Sequence, residues 1–235
     1  MQLKIKHLET PQNSIKKKIV LGVLFLLPIA IYMFFATGVN NFGKLPVLSQ
    51  DVVSVTNFKD LDGNAVTLDN RITILGFFGE APLQTKAYTY NLAHKIYKKN
   101  HEYNEFQFLI LLPQSARNGA KILTAKISEI APTTAWKYAF GTPQDIEKAF
   151  ASLKSGYSLD SSLASSFVFI IDKDAHLRGR NDDQDMPDGL VYGYNSADIG
   201  DINNRMSDDV KVVLAEYRKE TKENSRRNQI LVKQQ

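Results

Sequence analysis

The chain has 235 residues, 43% of them hydrophobic, which leaves room for one membrane-length segment and one domain of ordinary size. It has no cysteine, which excludes disulfides, thiolate catalysis and thiolate metal sites. The net charge of +4 sits at the two ends, where residues 1–18 carry five lysines against one glutamate and residues 211–235 carry seven Lys/Arg against three Glu. The acidic body between them shows no basic stripe interleaved with aromatics, which argues against a nucleic-acid partner.

The first element in chain order is "IVLGVLFLLPIAIYMFFATGV", residues 19–39, which carries no charge. As a helix rising ~1.5 Å per residue it would reach about 31 Å, enough for the hydrocarbon layer of a bilayer. Lys16, Lys17 and Lys18 stand immediately before it, and only Lys44 lies close behind. The positive-inside rule therefore expects a cytoplasmic N-terminus over residues 1–18. The rest of the chain is then expected at the extracytoplasmic side, the periplasmic face of a bacterial inner membrane. The stretch is long for a signal peptide and no A-x-A pattern follows, so it reads as an uncleaved anchor with the lipid bilayer as partner. Residues 40–52, broken by Gly43 and Pro46, read as a linker, and the folded domain is expected over residues 53–220.

Within that domain, "VVSVTNFKDLDGNAVTL" alternates apolar residues around Asp62-Gly63-Asn64, a hairpin signal. Ile72–Phe78 is a continuous apolar run suited to a strand covered on both faces. A helix is expected from Pro82 to about His101, with Leu92, Ile96 and Tyr97 inward. Phe106–Leu112 reads as a second buried strand, residues 117–130 as a helix, and "TAWKYAF" as a third strand. Thr142 caps a short helix with Pro143 at its first position and Asp145 at its third. "SFVFIID", a turn at Lys173–Ala175 and "LRGR" read as strand, turn, strand. The last helix is expected from Ser207, with Val210, Val213, Leu214 and Tyr217 inward, followed by a polar basic tail over residues 221–235. Strands alternating with helices and closed by a β-hairpin predict an α/β domain with a mixed central sheet flanked by helices.

In their order, the stretches "FKDLDGNAVTL", "ITILGFFG" entering "APLQT", "LAHKIYKK", "GTPQDIEKAF" and "SFVFIIDKDAHLRG" resemble the SCO/SenC branch of the thioredoxin-like superfamily. With the anchor they cover about two-thirds of the chain. The resemblance implies a thioredoxin-like fold and a place among membrane-anchored factors for copper insertion into cytochrome oxidase. It also implies a site of two cysteines four apart, a proline after the first, and a histidine before a later strand. Laid on this chain, Ala81 and Thr85 take the cysteine positions, Pro82 the proline position, and Ala164 or a near neighbour the histidine position. The proline common to thioredoxins before that strand is also missing. Cu(I) favours sulfur and imidazole, which these residues do not offer. No cofactor and no catalytic residue is therefore expected at this degenerate motif. The 79–86 loop reads as a structural turn or as a docking surface for a protein partner.

His94 and His101, seven apart, could share one helix face, although Lys95, Lys98 and Lys99 disfavour a cation there. Asp182, Asp183, Asp185 and Asp188 suggest Ca²⁺ or Mg²⁺, but Pro187 breaks the ligand spacing and a solvated loop is the simpler reading. Three functions remain open: a partner-binding factor in respiratory-complex biogenesis, an enzyme or metal-binding protein using non-cysteine groups, and a general envelope interaction protein.

Overall fold

Two strands, β2 (Ile72–Phe77) and β3 (Phe106–Pro113), are buried at every position, and they form the centre of the sheet for that reason. The computed structural model describes residues 11–37, 43–50 and 52–232. It divides into two units, Met1–Phe42 and Gly43–Gln235.

The first unit contains one helix, α1 (Pro11–Thr37), 27 residues long with Pro28 inside it. Its apolar side chains from Ile19 to Met33 are mostly exposed, Phe25 and Leu26 among them. Among the described residues no helix is long and apolar enough to cross a membrane. The stretch expected to do so runs on to Val39, past Thr37 and outside the described residues.

The second unit begins with β1 (Val47–Ser49), and the chain then reaches β2 through a turn at Leu61–Gly63. A helical segment follows: α2 (Lys86–Leu92), a π-turn over Ala93–Tyr97, and α3 (Lys98–Asn100). Next come β3, α4 (Arg117–Ser128), β4 (Trp136–Gly141) and α5 (Pro143–Ser152). The remaining strands are β5 (Phe167–Ile171), β6 (Leu177–Arg178) and β7 (Tyr194–Asn195). The last helical segment is α6 (Ile199–Asp201), a π-turn over Ile202–Met206, and α7 (Ser207–Val232). The strand order is β1-β6-β5-β2-β3-β4, with β7 paired to β5. β2, β3 and β4 run parallel, while β5 is antiparallel to β2 and β6.

Period-two alternation divides the core between the two faces of this sheet. Ile72, Ile74, Phe108 and Ile110 face Leu92 and Ile96, Leu123 and Ile127 of α4, and Val210 and Val213 of α7. Leu75, Phe77, Leu109 and Leu111 face Ile146, Ala149 and Phe150 of α5, together with Val55, Phe58 and Val66 from the entering chain. The capping box expected at Thr142 is present: its Oγ1 accepts from the Asp145 amide at 3.1 Å, and Asp145 Oδ2 accepts from the Thr142 amide at 3.3 Å.

Four expectations change in detail. Residues 47–49, read as linker, form an edge strand because Val47 and Ser49 pair with Arg178 and Leu177. The hairpin around Asp62-Gly63-Asn64 is reduced to a single bridge, Lys59 to Ala65, since Lys59 also pairs with Phe140 at the sheet edge. The helix expected from Pro82 starts at Lys86, because Pro82–Thr85 close as turns, with the Gln84 amide donating to the Ala81 carbonyl at 2.9 Å. The last helical segment starts at Ile199 in place of Ser207, because Asp198 caps it by accepting from the Gly200 and Asp201 amides. It continues as α7 through Val232, well into the segment read as a tail.

Candidate functional site

The loop that leaves β2 and the segment that enters β5 are held edge to edge. Ser165 donates its amide to the Phe77 carbonyl at 2.8 Å, Phe78 forms an isolated antiparallel bridge with Ala164, and Glu80 donates its amide to the Ser162 carbonyl at 3.0 Å. Of the expected degenerate-motif positions, Ala164 is brought against Gly79, two residues before Ala81. A methyl group built on Gly79 would stand 2.6 Å from the Ser162 carbonyl oxygen and 2.8 Å from the Ala164 Cβ. Gly79 also has a φ of +70°, which a side chain rarely adopts. Only glycine permits this approach of the two segments.

Asp160 organises the Ala164 side. Its Oδ1 accepts from the Ser162 amide at 2.8 Å, the Ser162 hydroxyl at 2.7 Å and the Ala164 amide at 2.9 Å. The Ala164 amide is the main reason its carboxyl titrates below the usual aspartate range. Leu163 within this turn holds a φ of 63°, a conformation costing about 1–2 kcal/mol for a residue with a Cβ.

On the other side, Pro82 is buried against α4. A methyl group on Gly119 would meet Pro82 Cγ at 2.9 Å, so a glycine is required for α4 to lie this close. Thr85 stands at the N-cap of α2 without a capping bond from its side chain. Its hydroxyl donates to the Pro82 carbonyl at 3.1 Å. Behind the loop, Tyr88 packs edge-to-face on Phe78 with ring centroids 5.9 Å apart.

These residues do not fit a copper ion. Ala81 and Ala164 offer methyl groups, and the Thr85 hydroxyl is engaged in its own turn. The other motifs are dispersed. The π-turn at Ala93–Tyr97 interrupts the spacing between His94, which is exposed, and His101, whose ring lies 5.6 Å from that of Tyr97. Among the described residues no group of three His, Cys, Asp or Glu converges to hold a metal.

The aspartate-rich loop is only partly solvated, contrary to the simple reading. Asp182 and Asp188 are exposed, but Asp183 is buried, 3.4 Å from Arg180 and 3.6 Å from Arg205. Arg205 also meets Asp185 at 2.9 Å, and Arg180 grips the buried Asp209 at 2.7 and 3.0 Å. These carboxylates answer arginines of the same domain. Asp182, Asp183 and Asp185 line a cleft of about 720 Å³ with Asn195, Asp198 and Asp201, which shares no lining residue with the 79–86 loop. Sequence reasoning missed Gly79, Asp160 and Gly119. The positive φ and the two close approaches involve long-range partners, and only the Asp160-Ser161-Ser162 turn left a local signal.

No protein-family model matches the chain, and no curated protein matches it. Among solved structures, it is similar to an SCO1/SenC family lipoprotein from Bacillus anthracis str. Ames, with 14% identity, a TM-score of 0.50, and coverage of 73% of this chain and 98% of that one. It is also matched by yeast Sco1, at 16% identity and TM-score 0.42 over 66% of this chain and 94% of that one. Arabidopsis thaliana ScoI with copper bound matches at 16% identity and TM-score 0.41, again over 66% and 94%. The first likeness, which spans nearly the whole of the bacterial lipoprotein, shows that this chain shares the fold of that protein.

Proposed function

We propose that the chain is a membrane-anchored, extracytoplasmic SCO-like module that binds a protein partner through its 79–86 loop and carries neither redox nor copper chemistry there. The observation that carries this reading is the bridge between Phe78 and Ala164, which sets the expected histidine position against the start of the loop that bears Ala81 and Thr85, and these three residues offer no sulfur or imidazole. The exposed apolar side chains of α1 and the lysines at 16–18 support the anchor and its orientation. Leu83 and Ile122, 41% and 51% exposed, support the docking surface. They flank the contact between Pro82 and Gly119, since Ile122 lies one turn beyond Gly119 on the same side of α4. The SCO/SenC resemblance supports a partner in respiratory-complex biogenesis, specifically cytochrome oxidase assembly.

A photo-crosslinking residue at Leu83, in the full chain in its native membranes, tests this. Adducts with an oxidase subunit or assembly factor are expected, and they should be lost with Pro82→Asp. Adducts only with unrelated envelope proteins would overturn the respiratory assignment, and no adduct would overturn the docking surface.

A further inference from the structure

The helix α7 outruns the core it packs on. Val210, Val213 and Leu214 seat its first half and Tyr217 is half-buried, while every residue from Arg218 to Lys222 is exposed. The helix nevertheless continues to Val232, about 22 Å beyond Tyr217 at the usual rise per residue. That outlying half is basic. From Arg218 to Gln235 the chain carries six Lys/Arg against two Glu, whereas residues 19–217 carry 18 Lys/Arg against 22 Asp/Glu. At ~3.6 residues per turn, Arg218, Lys219, Lys222 and Arg226 fall within an arc of about 100°, and Glu220, Glu223 and Arg227 fall outside it. Arg218 lies over the Tyr103 ring at 4.1 Å, and Glu220 is held by Lys173 at 3.3 Å. Lys219 and Lys222 pair with no carboxylate among the described residues, so the domain itself offers these two lysines no counter-charge.

We infer that this basic stripe docks on the anionic phospholipid headgroups of the membrane that holds the anchor. The inference rests on the anchored reading above. The chain enters the domain beside the stripe: Leu45 donates its amide to Glu216 at 2.8 Å, and its carbonyl accepts from Arg178 at 2.7 Å. Five residues lie between Leu45 and Val39, the end of the apolar stretch, which limits their separation to about 20 Å. The foot of the stripe, half a turn past Glu216, is therefore tethered close to the bilayer, and tethering raises the local concentration of headgroups around it. Charges spread over two turns of an exposed helix suit a plane of phosphates, which each Lys or Arg meets separately.

The chain has no cysteine, so a single introduced thiol alone carries a fluorophore. The full-length protein is labelled either at Gln229→Cys, a neutral position on the same arc, or at Phe25→Cys in α1. It is reconstituted in vesicles of phosphatidylcholine, with or without phosphatidylglycerol, that carry a quencher on the headgroups or deep in the acyl chains. The label at position 229 should be quenched from the headgroups only when phosphatidylglycerol is present. It should be released at ~1 M salt, where charges are screened within about 3 Å. Replacing Lys219, Lys222 and Arg226 together by Gln should lower the ratio of docked to free helix about a hundredfold, at about fivefold per charge. Quenching that is equal in both lipids or indifferent to salt would overturn the inference, as would an undiminished effect in the triple variant. Salt reads the same attraction without any substitution, so the test does not depend on that variant folding. The label at position 25 separates this inference from the reading beneath it. Quenched from the acyl chains while position 229 stays free, it leaves the anchor standing and overturns the docked stripe. Unquenched, it overturns both.

Discussion

Ala164 pairs with Phe78 across an isolated antiparallel bridge, and that pairing joins two segments 86 positions apart in the sequence. It holds the residue in the expected histidine position beside the loop that carries Ala81 and Thr85. Backbone hydrogen bonds on either side, from Ser165 to Phe77 and from Glu80 to Ser162, make the arrangement independent of any ligand chemistry. The junction between the two segments is therefore held by the backbone alone.

Gly79→Ala should disrupt this junction. The new methyl would lie 2.6 Å from the Ser162 carbonyl, at a φ of +70°. A loss of about 2–4 kcal/mol in urea unfolding is expected from overpacking and backbone strain together. A change below about 0.5 kcal/mol, the size of an ordinary surface substitution, would show that the two segments are not pinned there.

The protonation of Asp160 should loosen the same turn. Its carboxyl is depressed in the folded protein, chiefly by the Ala164 amide. The stability it contributes is therefore fully present above the ordinary aspartate value near ~3.9 and is lost as pH falls through the lower folded value. The amide signals of Ser162 and Ala164, followed by NMR down to acid pH, should move together with a midpoint below ~3.9. Asp160→Asn should abolish that titration. A midpoint at or above the ordinary value would contradict the hydrogen-bonded turn.

The buried Arg178 fastens three separate stretches of the domain. Its Nε donates to the Leu45 carbonyl at 2.7 Å, and its Nη atoms reach Asp172 at 3.2 Å and Glu216 at 2.7 Å. Glu216 in turn accepts from the Leu45 amide at 2.8 Å. Arg178→Met would leave two largely buried carboxylates without their cation, at a cost of about 3–5 kcal/mol. A fall of about 10 °C in the unfolding temperature is expected for a domain of this size. Replacing Glu216 by Leu in the same chain should restore part of it. A variant as stable as the unaltered protein would show that the three stretches are held without Arg178.

How much of this was legible in the sequence depends on the range of the cause. β2 and β3 announce themselves because burial on both faces demands unbroken apolar runs. The Thr142–Asp145 box is written within four residues. β1 was hidden because Val47 and Ser49 find their partners at Arg178 and Leu177, and no local pattern encodes that pairing. The true start of the last helical segment carried a signal, Asp198 three residues before Asp201, but Gly200 weakened it. At the site, family resemblance supplied Ala81, Pro82, Thr85 and Ala164. It could not supply Gly79 or Gly119, whose requirement comes from backbone approaches made only in the folded chain. The Arg205–Asp183 and Arg180–Asp209 pairs are long-range in the same way, so an ion-paired wall of a cleft read as a solvated loop.

The most direct test of the central claim is a Cu(I) titration against a competing chelator, comparing the purified full-length chain with an Ala81→Cys, Thr85→Cys, Ala164→His triple variant. Without sulfur or imidazole at these positions, the unaltered chain should leave Cu(I) with the chelator, while the variant should take one equivalent and, without copper, form a disulfide on oxidation. Tight one-to-one Cu(I) binding by the unaltered chain would contradict the account, as would a triple variant that folds yet gains neither copper nor disulfide.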